Sequence, residues 1–246
     1  MATYACSDLH GCLHFYNEVK KMLQPEDKVY FLGDAGDRGP HPWETIKAVL
    51  DDPQWIYIKG NHEKMLIDCL EEYRDDGYPS YQSYNLLHRN GGDETYEQAI
   101  RDKEWLKVLS RLKQLPTHQE YKNQNNDLIL LSHAGFTPWI KEDNQILFPI
   151  ERDIVWDREH VLEDWPDDEI CNNIVIVHGH TPTVLLVDSY LAWHFRDVEV
   201  EPGAIWYNGS HKVDIDSGAV FTGQFTLLNL DTWDEHIFES EIVEEI

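Results

Sequence analysis

The sequence predicts an α/β protein whose strands run parallel and are joined by helical crossovers. In the first 70 residues, short apolar runs alternate with segments of helical periodicity, which is the pattern of repeated βαβ units. Polar residues of metal-ligand type also recur just where an apolar run ends. The chain has 246 residues, 41% of them hydrophobic, enough for one large core. A single domain over 1–246 is therefore expected, with irregular insertions at about 73–98 and 189–207.

Thr3 to Cys6 reads as the first strand. Phe15 to Leu23 reads as a helix, with Phe15, Val19 and Met22/Leu23 on one face. Lys28 to Leu32 is a second strand, Trp43 to Leu50 a helix, Trp55 to Ile58 a third strand, and Lys64 to Leu70 opens another helix. Residues 73–98 break this rhythm with Tyr73, Tyr78, Tyr81, Tyr84 and Tyr96 among Asp and Gly, and read as an irregular or helical insertion. Residues 100–114 form a helix candidate. Asp127 to Ser132 and Asn173 to Val177 are further strands. Residues 189–207 are a second aromatic stretch, holding Tyr190, Trp193, Phe195, Trp206 and Tyr207. Residues 212–230 read as two strands around a Gly-rich turn, and the acidic stretch from Asp231 as a solvated face.

The formal net charge is −26, so neither nucleic-acid binding nor an anionic membrane partner is expected, since both need clustered Lys and Arg. A phosphate substrate remains compatible with such a chain if bound cations invert the local field. Cys6, Cys12, Cys69 and Cys171 form no CxxC pair and read as free thiols of a reducing compartment. Residues 1–11 have neither a basic nor an apolar leader region, so no secretory signal and a cytoplasmic location are expected.

The ligand-type residues form the strongest pattern. Asp8 and His10 follow the first strand, Asp34, Asp37 and Arg38 the second, and Asn61 and His62 the third. His133 follows the Leu128–Ser132 run, and His178 and His180 the Ile174–Val177 run. In open α/β sheets ligands bind beyond the carboxyl ends of the strands, so five loops can converge on one pocket. Gly11, Gly33, Gly36, Gly39, Gly60, Gly135 and Gly179 punctuate the same loops.

The segments S-D-L-H-G (7–11), G-D-A-G-D-R-G (33–39), G-N-H-E (60–63), S-H-A-G (132–135) and H-G-H-T-P (178–182) resemble the calcineurin-like metallophosphoesterases. N-G-G-D (90–93), V-W-D-R-E (155–159) and I-D-S-G-A-V-F-T-G (215–223) make the chain most similar to the bacterial and phage branch of the PPP serine/threonine phosphatases. The resemblance implies a four-layer α/β/β/α sandwich with a di-metal site at the carboxyl ends of the strands. It implies that Asp8, His10 and Asp34 hold one metal, and that Asp34, Asn61, His133 and His180 hold a second. A bridging carboxylate sets two dications roughly 3.5–4 Å apart. Oxygen and nitrogen ligands without thiolate suit Mn²⁺, the first expectation, and also Fe or Zn²⁺.

The activity implied is hydrolysis of phosphate monoesters by direct attack of a metal-bridging hydroxide. Arg38 and Arg158 would clamp the phosphoryl oxygens, His62 would protonate the leaving oxygen, and Asp37 would orient His62. Arg158 is preferred over Arg152 for its W-x-R-E context. His178 is assigned to support or packing, and Asp216 to hydrogen-bonded support of the site. Cys12 is read as inert. The tyrosines of 73–98 and the aromatics of 189–207 fit either a substrate wall or packing of the insertions. The chain departs from the branch in three places: Gly36 replaces a β-branched residue and loosens that loop, Ser7 stands where many relatives have Gly, and Pro182 stands where many phosphodiesterases carry a further metal histidine.

The expected substrate is a phosphorylated protein (phosphoserine or phosphothreonine, with phosphotyrosine also open) or a small phosphoester. One alternative is a bis(nucleosyl) tetraphosphatase or another nucleotide phosphohydrolase. A second, of another class, is a catalytically silent metal-binding scaffold. The sequence carries no expectation of oligomeric state.

Overall fold

The structure is a computed structural model that describes residues 1–141, 145–185, 203–207 and 209–240. The amino-terminal half runs β1 (Thr3–Cys6), α1 (Leu13–Met22), β2 (Lys28–Phe31), α2 (Pro42–Asp51), β3 (Trp55–Tyr57) and α3 (Asn61–Asp76). Next come α4 (Tyr81–Arg89), α5 (Asp93–Arg101), α6 (Trp105–Leu112), β4 (His118–Lys122) and β5 (Leu128–Ser132). A small β6 (Trp139–Ile140) and β7 (Ile146–Leu147) pair precedes α7 (Glu151–Trp156) and β8 (Ile174–His178). The chain then gives α8 (Thr183–Leu185), β9 (Ile205–Tyr207), β10 (Lys212–Asp214), α9 (Ala219–Thr222), β11 (Gln224–Asn229) and β12 (Glu235–Glu239).

Two five-stranded mixed sheets result, in the orders β12-β11-β1-β2-β3 and β4-β5-β8-β10-β9. The expected βαβαβ unit is present, with β1 parallel to β2 and β2 parallel to β3. In the second sheet β5, β8 and β10 are parallel, and antiparallel strands flank them.

The layering follows from the two-residue period of the strands. Ala5, Leu32, Ile129, Leu131, Val177, Val213 and Leu228 come from both sheets and form one apolar cluster between them. The alternate residues Cys6, Val29 and Phe31 face α1, α2 and α3 through Phe15, Val19, Ile46 and Leu66. On the other side, Leu130, Ile174 and Ile176 meet Ile154 and Val155 of α7. Helices therefore cover both outer faces, giving the four-layer α/β/β/α arrangement.

Three expectations sharpen. Of the two readings of 73–98, irregular or helical, the helical one holds, and the segment takes in the end of α3, all of α4 and the first turns of α5. The two strands at 212–230 do not pair, because β10 joins the second sheet and β11 the first, with α9 between them. The acidic stretch after Asp231 contains β12, an edge strand ending in Glu235 and Glu239, charges that suit an unpaired edge. Of the aromatic stretch at 189–207, Tyr190, Trp193 and Phe195 lie outside the described residues. Trp206 and Tyr207 belong to β9, with Trp206 set edge-on to Trp233 and Tyr207 edge-on to His178.

Candidate metal centre

Every expected ligand follows the carboxyl end of a parallel strand, on the loop itself or, for Asn61, at the first position of α3. These loops are tied to one another through their backbones. Asp8 N donates to the Gly33 carbonyl (3.0 Å), His10 N to the Asp34 carbonyl (2.9 Å) and Gly179 N to the His133 carbonyl (2.8 Å). The Asp8 carboxylate accepts from His180 N at 3.0 Å, joining the two sheets across the site.

Among the described residues, nine non-glycine residues have left-handed backbone. Six of the nine are Asp8, His10, Asp34, Asp37, Arg38 and His180. That conformation costs an L-residue free energy and concentrates where function demands it.

The side chains form two overlapping groups, His10–Asp34–His62 and Asp34–His133–His180. In each, the ligand atoms lie within 4.8 Å of one another, and all these residues are buried. Asp34 belongs to both. Asn61 joins the second group, with its Oδ1 2.8 Å from His133 Nε2. His133 Nε2 is also 3.1 Å from His180 Nδ1 and 3.3 Å from Asp34 Oδ2. His133 Nδ1 donates to the Leu32 carbonyl at 2.7 Å, so Nε2 presents a lone pair to an oxygen, another imidazole and a carboxylate. Acceptors facing one another without a donor need a proton or a cation between them. His10 is also held through Nδ1, which donates to the Gly36 carbonyl (3.0 Å), while its Nε2, which accepts from Arg38 (2.7 Å), lies 3.8 Å from both Asp8 Oδ1 and Asp34 Oδ2. Asp8 Oδ1 is buried without a hydrogen-bond partner. An orphaned carboxylate oxygen beside imidazole lone pairs, with no thiolate near, fits divalent cations.

The proton affinities point the same way. Burial would raise Asp34, but the charges of His133 and His62 hold it well below the usual carboxylate range. Burial lowers His133, yet Asp34 and Asp8 lift it to about 10. Burial raises Asp8, and burial together with neighbouring cations drives His10 and His180 well down. A cation would satisfy these acceptors in place of the shared proton, and its binding would release that proton.

Of the expected catalytic side chains, Arg38, His62 and Arg158 line a cavity of about 370 Å³ that Asp34, Asn61 and His180 also line, while Asp37 stands behind His62. His62 Nδ1 meets Asp37 Oδ2 at 2.5 Å, and burial, which disfavours the imidazolium, is outweighed by Asp34 and Asp37, so its affinity for a proton is raised. Arg38 donates to His10 Nε2 (2.7 Å) and His62 Nε2 (2.9 Å), and Arg158 to His180 Nε2 (3.2 Å). Arg152 is instead paired with Asp153 and does not line this cavity. Arg158 and Trp156 also line a neighbouring chamber of about 920 Å³.

Two residues beyond the expected set hold these groups. Glu63 accepts from Asp34 N (2.8 Å), Ala35 N (2.9 Å), Gly60 N (2.8 Å) and Tyr57 OH (2.7 Å), binding the loops after β2 and β3 to one carboxylate. Its signal was the E of G-N-H-E, the third helical position, where a carboxylate reaches back to the cap. Thr95 of α5 hydrogen-bonds both the Asp37 carboxylate and Asp37 N, and nothing local in the sequence marks it.

The Gly36 loop is not loose. It is buried, and a side chain at 36 would meet Ile46 at 2.7 Å. His178 Nε2 meets Tyr207 OH at 2.6 Å and belongs to neither ligand group. Asp216 accepts from Gly218 N within its own loop (2.8 Å). The Cys12 thiol is pushed up to about 12 by burial, as befits an inert residue. Tyr73 and Tyr84 each pack edge-on against Tyr96, whereas Tyr78 and Tyr81 are exposed, and among the described residues no tyrosine lines the cavity.

The calcineurin-like phosphoesterase family profile matches residues 1–217. The chain belongs to this family. Its relatives include proteins named bis(5'-nucleosyl)-tetraphosphatase PrpE [asymmetrical] from Anoxybacillus flavithermus (26% identical) and Bacillus anthracis (28% identical). Each alignment covers 90% of this phosphoesterase and 87% of the relative. The fold is shared with a protein serine/threonine phosphatase from Saccharomyces cerevisiae (TM-score 0.57, 15% identity, 100% of this chain and 81% of that one). It is also shared with a metallophosphoesterase from Sphaerobacter thermophilus (TM-score 0.54, 17% identity, 99% of this chain and 89% of that one). No helix of the described residues is long and apolar enough to cross a membrane.

Proposed function

We propose that this phosphoesterase is a cytoplasmic, single-domain phosphohydrolase that works with two divalent cations. The observation that carries the reading is Asp34 shared between the buried His133–His180 group and His10, whose Nε2 is 3.8 Å from both Asp34 Oδ2 and the unpartnered Asp8 Oδ1, with Arg38 and Arg158 in the same cavity and His62, the third member of the His10 group, left to act as the acid. Asp8, His10 and Asp34 would hold one ion, and Asp34, Asn61, His133 and His180 the other. Mn²⁺ is favoured, and Fe or Zn²⁺ suit the same donors. The ions, when bound, supply an acidified water as nucleophile and neutralise phosphate charge.

The chain does the rest. Arg38 and Arg158 present planar guanidinium forks that bind phosphoryl oxygens and fix the scissile group. Asp37 holds the His62 ring by Nδ1, leaving Nε2 to carry the proton that the leaving oxygen takes. An imidazolium Nε2 cannot accept from a guanidinium. Arg38 therefore has to leave His62 for the phosphoryl oxygens as the acid charges, which links substrate binding to the protonated form.

Two substrate classes fit this chemistry: phosphoprotein monoesters, to which the V-W-D-R-E segment points, and dinucleoside polyphosphates. The second is favoured by the name carried by relatives that align over nine-tenths of the chain. The chamber beside the cavity also leaves room for a bulky leaving group. The test is hydrolysis by chelator-stripped, Mn²⁺-reloaded protein, comparing diadenosine tetraphosphate, phosphopeptides and p-nitrophenyl phosphate. Preference for the first supports the nucleotide reading, and preference for phosphopeptides replaces it with the phosphoprotein one. Hydrolysis at background level that is no lower in His62→Ala would return the chain to a silent scaffold, because removing a general acid from a working site costs about 10²–10⁴-fold.

A further inference from the structure

Among the described residues, the guanidinium groups of this very acidic chain divide into two sets. Arg74, Arg101, Arg111 and Arg152 each hold a carboxylate. Among the described residues, Arg38, Arg89 and Arg158 have no carboxylate partner, and all three line the 370 Å³ cavity. Arg38 and Arg158 serve the scissile phosphoryl group in the reading above. Arg89 has no role in it. It is exposed, it ends α4, and no hydrogen bond within the described residues engages its side chain.

The turn after α4 fixes where Arg89 stands. Arg38 N donates to the Gly91 carbonyl (3.1 Å) and Arg38 Nε to the Asn90 carbonyl (3.4 Å), so the residue next to Arg89 is bonded to the phosphate clamp. Gly91 has φ +81°, and a side chain there would meet Arg38 Cγ at 3.1 Å. The N-G-G-D segment thus seats the end of α4 against the clamp and carries a third guanidinium to the cavity rim. In a chain of net charge −26, an unpaired cation at a cavity mouth calls for an anionic ligand.

We propose that Arg89 binds the phosphoryl group adjoining the one held by Arg38 and Arg158, so that the site selects substrates with at least two consecutive phosphoryl groups. This rests on the phosphohydrolase reading above and deepens it. The charge of the two neighbouring spaces sets the direction. The 920 Å³ chamber is lined by Asp153, Asp157, Glu159 and Glu163 against Arg152, which is paired with Asp153, and Arg158, so acidic groups outnumber basic ones and disfavour a polyphosphate. Among the described residues the only carboxylate lining the smaller cavity is Asp34, itself a metal-site residue, so the phosphate chain runs toward Arg89. An uncharged or nucleoside end can then occupy the chamber.

The test compares wild type with Arg89→Gln and Arg89→Lys in constant excess Mn²⁺. Calorimetry measures binding of adenosine monophosphate and of α,β-methylene adenosine diphosphate, ligands that differ by one phosphoryl group. Wild type is expected to prefer the two-phosphate ligand. The ratio of the two affinities should drop about tenfold or more in Arg89→Gln, as for loss of a charge-assisted bidentate contact, with Arg89→Lys between. A ratio within twofold of wild type, or no preference in wild type, overturns the proposal. Hydrolysis of diadenosine tetraphosphate and p-nitrophenyl phosphate is followed in parallel. Protein that cleaves neither but keeps an Arg89-dependent ratio loses the catalytic reading and retains the subsite. Protein that cleaves but shows no such dependence does the reverse.

Discussion

Glu63→Gln tests how the centre is built, apart from any catalytic role. Each carboxylate oxygen of Glu63 accepts two hydrogen bonds: Oε2 from Asp34 N and Gly60 N, and Oε1 from Ala35 N and Tyr57 OH. Glutamine keeps the shape but turns one oxygen into a donor. With the amide nitrogen at the Oε2 position Asp34 N and Gly60 N lose their acceptor; at the Oε1 position Ala35 N loses its acceptor and the Tyr57 hydroxyl has to turn and accept, so two of the four bonds are lost or reversed. A hydrogen bond to a charged group contributes about 1.5–3 kcal/mol, so the gross loss is about 3–6 kcal/mol. Part of this is recovered because the buried carboxylate is itself disfavoured by burial and by the Asp34 charge, which together raise its affinity for a proton. A net loss of about 2–4 kcal/mol should lower the melting temperature of a chain this long by about 5–15 °C. Calorimetry on chelator-treated protein isolates the effect from metal binding. Tyr57→Phe, which removes one donor and orphans none, should cost about 1 kcal/mol. A Glu63→Gln melting temperature within 2 °C of wild type would refute the anchoring role.

Asp37→Asn should cut turnover by about 10²-fold or more while the fold persists, because His62 loses the charged partner that favours its proton; circular dichroism beside kinetics separates the two effects. Gly60→Ala would place a methyl 2.1 Å from Asp34 Oδ1, so Mn²⁺ binding measured by equilibrium dialysis should weaken more than about 10-fold, the scale of a displaced metal-site partner. Lys212 is wholly buried, donates to Thr137 Oγ1 (2.8 Å) and the His160 carbonyl, and is driven by burial, against the pull of Glu163 and Asp157, down to about 8. Between that value and the ordinary 10.5 the unfolded chain binds more protons, so stability from this group rises as pH climbs from 8 toward 10. Urea midpoints of wild type should therefore gain on Lys212→Met across that range, and a constant difference would contradict it.

Much of this was legible in the sequence because apolar strands and polar loop ends are local signals. The Leu128–Ser132 run is buried on both faces of its sheet, so it reads as a strand without its neighbours, and His133 is marked by where that run stops. β4 (His-Gln-Glu-Tyr-Lys) is a polar edge strand with no buried residue, and only its pairing with β5 makes it one. The split of β10 and β11 between sheets depends on which partners wait for them, His178 of β8 and Asn229's neighbour β1, and no local pattern records that. Thr95 reaches Asp37 across 58 residues of sequence, through the packing of a helical insertion. The choice between Arg152 and Arg158 was carried by a motif, and the structure gives the physical difference: one guanidinium is spent on Asp153, the other is free of carboxylates and turned to the cavity.

The most direct test of the dinuclear centre is a Mn²⁺ titration of chelator-stripped protein, with bound metal and p-nitrophenyl phosphate hydrolysis measured on the same samples. Two ions per chain, activity negligible before the titration and complete by the second equivalent, and loss of one ion in Asp8→Ala are expected. Hydrolysis that persists in stripped protein, or saturation at a single ion with full activity, would contradict a centre built on two ligand groups sharing Asp34.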